Sequence, residues 1–338
     1  MLKAHLRRLR ILLANRNQFL RGLRAFLRSR KLFRNWLSAG VKYWLIIGGL
    51  LHDGNIEVVC RDGSKGIIPV GAYVILIVDY YDGYLMSYNC RDGIATYVNN
   101  VHVPVEWIRV GSGVGPAIAD GWAYDMVNRF WIKDGIRFRH IYKTILQVFS
   151  HGDYASLDVK DKVVIDIGAF IGDSAIYFAL KGAKRVIAVE PHPGAFAEML
   201  ENIKLNNMEN IIIPVNAGLA SRSGKICTEN VDNVYSIFTY HRLGDCINAV
   251  PAVTLGELIS RFGVDPGNAV LKMDCEGCEF DVIFNDYEHI RMFKELVFEY
   301  HTYVFNKPVD DLLNILGRDF RCVIKGNKKT GIVHCIRK

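Results

Sequence analysis

The first 52 residues contain no Asp or Glu; the first acid is Asp53. Twelve of the chain's 42 Lys and Arg lie in that stretch. The other 286 residues, with 30 basic and 35 acidic side chains, are therefore mildly acidic, and the overall net charge of +7 describes one N-terminal segment only. Long apolar runs are also missing near the start. The longest there is Tyr43–Leu51, nine residues, against the roughly 20 that a membrane-spanning helix needs. The apolar run follows a basic stretch far longer than a secretory signal carries, and no small-residue cleavage site comes after it. The expected compartment is therefore the cytoplasm. The eight cysteines are scattered at 60, 90, 227, 246, 275, 278, 322 and 335, unlike the framework of a secreted disulfide domain. Cys275-Glu-Gly-Cys278 has C-x-x-C spacing, but no second such pair or His pair accompanies it. It is read as a tight glycine turn, and no metal site is expected.

What is present is a chain of 338 residues, half of them hydrophobic, enough for about two domains. Three regions are expected: a basic helical leader over 1–52, a small β-rich or α+β region over 53–144, and a catalytic domain over 145–338. In the leader, Leu2, Leu6, Leu9, Leu13, Leu20 and Leu27 step by three, four or seven residues and share one face of a helix over 2–31. Lys3, Arg7, Arg10, Arg21 and Arg28 fall beside it, while Arg16 and Arg24 interrupt the apolar stripe. A second helix is expected over 33–49, ending at Gly48-Gly49. Two tetrads, Cys60-Arg-Asp-Gly63 and Cys90-Arg-Asp-Gly93, read as hairpin turns, because Asp-Gly supplies the positive φ that tight turns demand. If the two hairpins lie side by side, Cys60 and Cys90 come close. Gly111-Ser-Gly-Val-Gly115-Pro116 reads as a loop, without the Lys-Ser/Thr of a phosphate loop. A helix is expected from His140 to Ser150.

Beyond residue 160 strands alternate with helices. Val163–Ile167, Arg185–Val189, Ile211–Ile213, Val270–Asp274 and Glu295–Glu299 are the expected strands. The helices run from Asp173 to Lys181, closed by Gly182, and from Pro193 to Asn206. Phe320–Ile324 and Ile332–Ile336 form a terminal hairpin. The expected fold is thus α/β: a doubly wound, mostly parallel, Rossmann-like sheet with an antiparallel end.

In such sheets ligands sit beyond the carboxyl ends of the strands, and four segments place polar groups there. Asp166-Ile-Gly168-Ala-Phe-Ile-Gly172 offers two glycines ahead of a helix N-terminus. Glu190 ends the second strand, where a carboxylate accepts both hydroxyls of a ribose. Asn216 follows the third strand, on the adenine side. Asp274-Cys-Glu276-Gly-Cys-Glu279 places three carboxylates within six residues after the fourth. Each alone is weak. Their joint spacing points to S-adenosylmethionine, with Asp166, Gly168, Gly172, Glu190 and Asn216 as its binding residues.

Val164–Ser174, Val189–Pro193, Glu201–Asn207 and Leu271–Glu279 resemble the FkbM family of S-adenosylmethionine-dependent methyltransferases, and Phe298-Glu-Tyr-His301 resembles that family's fifth strand. The likeness covers about residues 145–335. Phe170 is a departure: the family usually has Asn there, beside the methionine part of the cofactor. The resemblance implies O-methylation of a hydroxyl on a sugar, glycan, lipid headgroup or secondary metabolite. Asp274 is then the residue expected nearest the transferred methyl, Glu276 and Glu279 orient it or bind substrate hydroxyls, and His301 is an alternative general base.

Two other functions stay open: an RNA methyltransferase gripping phosphates through the basic leader, and a fold that binds a partner without catalysis. The leader has three readings: packing on its own domain, peripheral contact of residues 2–31 with an anionic membrane, or RNA binding, which its scarcity of interleaved aromatics disfavours. Substrate choice is expected to reside in the inserts at 53–140 and 220–265.

Overall fold

The computed structural model describes residues 16–109, 111–228, 242–243, 246, 248–305 and 307–338. The first half of the expected leader helix, with Leu2 through Leu13 and its early basic residues, lies outside them, as does much of the 220–265 insert. The chain divides into two compact units between Lys143 and Thr144, and the described part of the basic leader lies in the first unit together with the β-rich segment.

The first unit begins with helices α1 (Arg16–Arg28) and α2 (Trp36–Ile47). A hairpin follows, β1 (Asn55–Val59) with β2 (Lys65–Pro69). Its turn is Cys60–Ser64: the Ser64 carbonyl accepts from the Cys60 amide at 2.8 Å. The third helix, α3 (Val70–Asp82), buries Ala72, Tyr73, Leu76 and Ile77 and stops at Gly83 in the left-handed conformation. β3 (Leu85–Asn89) and β4 (Ile94–Tyr97) then form the second hairpin, joined by β5 (His102–Pro104). Both Cys-Arg-Asp-Gly tetrads therefore lie in hairpin turns, and a disulfide joins Cys60 to Cys90. The glycine-rich stretch is a loop only as far as Gly113. Helix α4 (Val114–Ala119) starts directly after it, because Gly113 takes a left-handed turn and Val114, Ala117 and Ile118 bury. Three short strands, β6 (Ala123–Asp125), β7 (Phe130–Lys133) and β8 (Ile136–Phe138), close the unit as an antiparallel sheet.

The second unit carries a seven-stranded sheet. In chain order its elements are α5 (Lys143–Phe149), β9 (Val163–Ile167), α6 (Asp173–Leu180), β10 (Arg185–Val189), α7 (Pro193–Leu205) and β11 (Ile212–Val215). A small sheet of β12 (Gly218–Leu219), β13 (Gly224–Cys227), β14 (Arg242–Leu243) and β15 (Ala249–Val253) is inserted next. Then come α8 (Leu255–Phe262), β16 (Ala269–Met273), α9 (Cys278–Asn285), β17 (Glu295–His301), α10 (Val309–Leu316), β18 (Phe320–Gly326) and β19 (Thr330–Arg337). The large sheet runs β11-β10-β9-β16-β17-β19-β18. Its first five strands pair in parallel, and β19 pairs antiparallel with both β17 and β18. The direction of winding reverses between β9 and β16, the place where such sheets open a crevice.

These strands form because their side chains are apolar on both faces, as a sheet covered on both sides requires. Ile165, Ile187, Leu271, Leu296 and Phe298 are all fully buried. Helix boundaries follow local chemistry. Pro193 opens α7, and His192 caps it by accepting from the Ala195 amide at 3.2 Å. Gly172 holds the N-cap position of α6, and Asp173 is its first helical residue, as expected.

All eight cysteines, each among the described residues, are paired: Cys60–Cys90, Cys227–Cys246, Cys275–Cys278 and Cys322–Cys335. This corrects the expectation from their scatter in sequence. The fold brings distant cysteines together, as where Cys322 and Cys335 stand opposite each other across β18 and β19. Among the described residues no helix is long and apolar enough to cross a membrane.

Candidate functional site

The carboxyl ends of β9, β10, β16 and β17 converge. After β9 the chain turns at Gly168, whose φ is +71°, and a Cβ there would stand 1.8 Å from the carbonyl oxygen of Asp274. The glycine is needed because the segment after β16 passes against the loop after β9, where the Asp274 amide donates to the Ile167 carbonyl at 3.0 Å. The glycine pair was expected to admit a ligand; the structure adds that Gly168 admits Asp274, while Gly172 faces Met199. Between them Phe170 has a φ of +48°. That region is costly for a side chain with a bulky Cβ substituent and is visited more readily by Asn.

Beneath this loop lies a buried ion pair that motif reading missed. Lys272, in the middle of β16, is 1% exposed. Its Nζ stands 2.9 Å from Asp166 Oδ1 and donates to the Gly168 carbonyl at 2.8 Å. Ser174 Oγ donates to the other Asp166 oxygen at 2.7 Å. Asp166 is fully buried, so its charge anchors the loop from below through Lys272. The signal was a lysine inside an otherwise apolar strand, which must be paired if it is buried.

Glu190 follows β10 and is buried. Its two carboxylate oxygens accept from the Phe170 and His192 amides, each at 2.8 Å. Burial nevertheless pushes its pKa up to about 7, against the pull of those two bonds. The carboxylate is thus held in one orientation, and each oxygen keeps a lone pair for a further donor. Asn216 stands just past β11 and spends its amide hydrogens on the Glu190 carbonyl at 2.9 Å and that of Pro191 at 3.4 Å. It braces the Glu190 segment.

The densest charge is past β16 and β17. Glu276 sits at φ +55° in the turn before α9, and Cys275 and Cys278, expected only to flank a tight turn, are bonded to each other across it. His301, the last residue of β17, is buried among carboxylates: Glu299 at 3.6 Å, and Glu276 and Glu279 at 3.7 Å each. Burial alone would lower its pKa, but Glu279, Glu299, Glu276 and Asp274 push it up to about 11. The imidazolium is therefore favoured, which suits holding or donating a proton better than the general-base role expected for His301. Burial and the nearby Glu299 raise Asp274 well above the ordinary carboxylate range. Glu299 lies below its ordinary value: burial raises it, but its bond to His301 and the imidazolium charge more than offset that.

A cavity in this unit is lined by Gly168, Phe170, Asp173, Lys272, Asp274 and Glu299, with Tyr154 donating to Asp274 Oδ2 at 3.3 Å. From sequence, Asp173 reads only as a helix start within the glycine-loop motif and Glu299 only as part of the fifth-strand segment; neither is given a site role there, and Tyr154 is not singled out. Glu299 was legible in principle, since it lies near the end of a strand on the same edge as Asp274. Tyr154 carries no local mark. One ligand atom each of Asp274, Glu299 and His301 lie within 4.8 Å of one another, but as an imidazolium His301 has no lone pair to offer a cation. Cys275, Cys278 and Glu279 form a second such grouping, but its two sulfurs are bonded together.

Comparison with known proteins bears on this unit. The model of the methyltransferase FkbM domain matches residues 166–322. The chain is 28% identical over 155 residues to the hexuronic acid methyltransferase AglP of Haloferax volcanii, covering 46% of this chain and 62% of that protein. It is 29% identical over 176 residues to protein 158B of Sulfolobus islandicus rod-shaped virus 1, covering 52% and 83%. Among solved structures, the methyltransferase FkbM of Methylobacillus flagellatus aligns at 16% identity with a TM-score of 0.39, covering 56% of this chain and 47% of that one. The match to the methyltransferase FkbM domain is confined to residues 166–322.

Proposed function

We propose that this methyltransferase domain uses S-adenosylmethionine to methylate a hydroxyl on a sugar-like acceptor: a free sugar, a glycan, a lipid headgroup or a glycosylated metabolite. The observation that carries the reading is the juxtaposition of Asp274, Glu276, Glu299 and His301 with the Gly168 loop and Glu190, all at the carboxyl edge of one sheet. The likeness to a hexuronic acid methyltransferase supports a sugar acceptor.

The donor set fits the cofactor. Glu190 is a buried carboxylate, held by two amides and with acceptor capacity left over, as a pair of ribose hydroxyls requires. Asn216 keeps that segment in place, and Gly168, Phe170 and Gly172 form the loop expected beside the amino-acid part. When bound, S-adenosylmethionine supplies an electrophilic methyl group.

The chain's own residues orient the acceptor and take its proton. Asp274 is the general base in this reading. In its ionised form, a carboxylate whose affinity for a proton has been raised by burial is a stronger base toward a hydroxyl than an ordinary one. Tyr154 aims it through the bond to Oδ2. Glu276 is placed to accept from acceptor hydroxyls, and His301, as an imidazolium, offsets the surrounding negative charge. Alignment of the hydroxyl contributes as much as the base does.

The test is Asp274→Asn in the full chain. Calorimetric titration of S-adenosylmethionine should give near-unchanged affinity, while transfer of labelled methyl to glycan or lipid fractions should cease. Wild-type transfer by this variant would remove Asp274 from the mechanism, and label appearing only in RNA would replace the acceptor class.

A further inference from the structure

The first unit presents an apolar face that the methyltransferase reading leaves unused. On α1, Phe19, Leu23 and Leu27 follow one another at four-residue steps; on α2, Leu37, Val41 and Trp44 recur at helical spacing. All six are 37–56% exposed. These helices pack inward through other residues, Ala25 on α1 and Ala39 and Gly40 on α2, which are buried. Each helix is thus apolar on two sides, one filled and one open. Of the six, Phe19 and Trp44 line a common groove of about 230 Å³ with Gly22, Phe26, Tyr43 and Ile77. Large apolar side chains left exposed around such a groove mark an interaction site.

Charge identifies what covers it. No acid occurs before Asp53. Arg24 on α1 and Arg30 and Lys31 in the turn that follows it are exposed. Asp53 and Asp82 are engaged by Lys42 and Arg21. Two copies of the face would bring like charges together, and four of its six exposed side chains, Leu23, Leu27, Leu37 and Val41, offer nucleobases nothing to stack on. A lipid surface with anionic headgroups satisfies both features at once, taking the apolar side chains at the acyl boundary and the arginines at the headgroups. Helices of 13 and 12 residues are too short to span a bilayer, so they lie in its plane.

We propose that the face formed by α1 and α2 is a membrane-docking surface selective for anionic bilayers. It sharpens the expectation for the leader: the contact is shared with a second helix and centred on Trp44.

The full chain is floated with vesicles of phosphatidylcholine plus phosphatidylserine and, separately, of phosphatidylcholine alone. Partition onto the anionic vesicles should be stronger by about tenfold or more. It should fall about as far in Leu37→Ser/Trp44→Ser and in Arg24→Glu/Arg30→Glu/Lys31→Glu, with melting temperature held as a check on folding. Because a variant can lose its fold, the wild-type chain gives a second reading. Bromine-labelled acyl chains should quench tryptophan emission, and Trp44→Phe, which keeps an aromatic ring, should lose most of that quenching. Absence of flotation, equal partition onto both vesicles, RNA binding in its place, or a dimer abolished by Leu37→Ser/Trp44→Ser would each overturn the proposal.

Discussion

The two units handle charge in opposite ways, although both leave some large apolar side chains exposed. The second unit brings charge inside: Asp166, Lys272, Glu190, Glu279 and His301 are all buried, grouped at one edge of the large sheet. The described residues of the first unit bury one carboxylate, Asp79, and leave large apolar side chains outside on α1 and α2. Burying an ion costs several kcal/mol unless it is paired, and exposing Leu or Trp forgoes roughly 1.5–3 kcal/mol of burial each. Both departures from the ordinary arrangement coincide with the surfaces for which a function is proposed, a catalytic edge in one unit and a docking face in the other.

The contrast is broken most sharply at Lys272. Lys272→Met leaves Asp166 buried without its cation, and urea denaturation should show a loss of about 3–5 kcal/mol in the second unit's transition. The double change Asp166→Asn/Lys272→Met should recover most of it, since an apolar or neutral replacement of both partners removes the unpaired charge. A small effect of the single change would mean that the pair does not anchor the loop.

Asp79 tests the other side. Burial pushes its carboxyl from 3.8 up to about 7, although Tyr97 and the Gly115 amide bond to it. The folded chain therefore holds a proton that the unfolded chain releases at lower pH. Stability of the first unit should fall as pH rises between 3.8 and about 7, then level off. Asp79→Asn keeps an acceptor for both donors, so thermal unfolding should show this dependence flattened and a gain of up to about 4 kcal/mol above pH 7. An unchanged slope would place the titration elsewhere.

Glu190→Ala sharpens the proposed cofactor site. Loss of a held carboxylate should weaken S-adenosylmethionine binding about tenfold or more by calorimetry, equivalent to about 1.4 kcal/mol. Unchanged affinity would remove the ribose assignment. The smallest effect is expected at Phe170. Phe170→Asn relieves a bulky residue at positive φ, and thermal unfolding should show a gain of about 1 kcal/mol. A loss instead would show that the phenyl ring packs for more than its backbone strain costs.

Much of the second unit is legible in the amino-acid pattern. Val163–Ile167 and Arg185–Val189 stand where expected, because a short apolar run between turn residues leaves little freedom in where a buried strand begins and ends. The terminal hairpin runs longer than expected, to Gly326 and Arg337, since antiparallel pairing continues through residues with no apolar alternation. The glycine loop, Glu190 and Asp274 are legible because each follows a strand directly, and strand ends in a parallel sheet share one edge. Gly111–Pro116 reads as loop throughout, yet it is helical from Val114, because burial of Val114 and Ile118 outweighs the poor helix propensity of Gly115 and Pro116.

What the sequence determined by itself is local: where strands and helices lie, which turns need glycine, and which polar groups follow which strand. Those depend on residues within a few positions of one another. The tertiary structure alone decided which charges meet and which faces stay open. Lys272 reaches Gly168 across 104 residues, Tyr154 reaches Asp274 across 120, and Cys60 bonds to Cys90 across 30. The proton affinity of a histidine and the exposure of a leucine are properties of their surroundings. His301 becomes an imidazolium only once Glu276, Glu279 and Glu299 close around it, and the leucines of α1 become a surface only once Ala25 has taken the place inside.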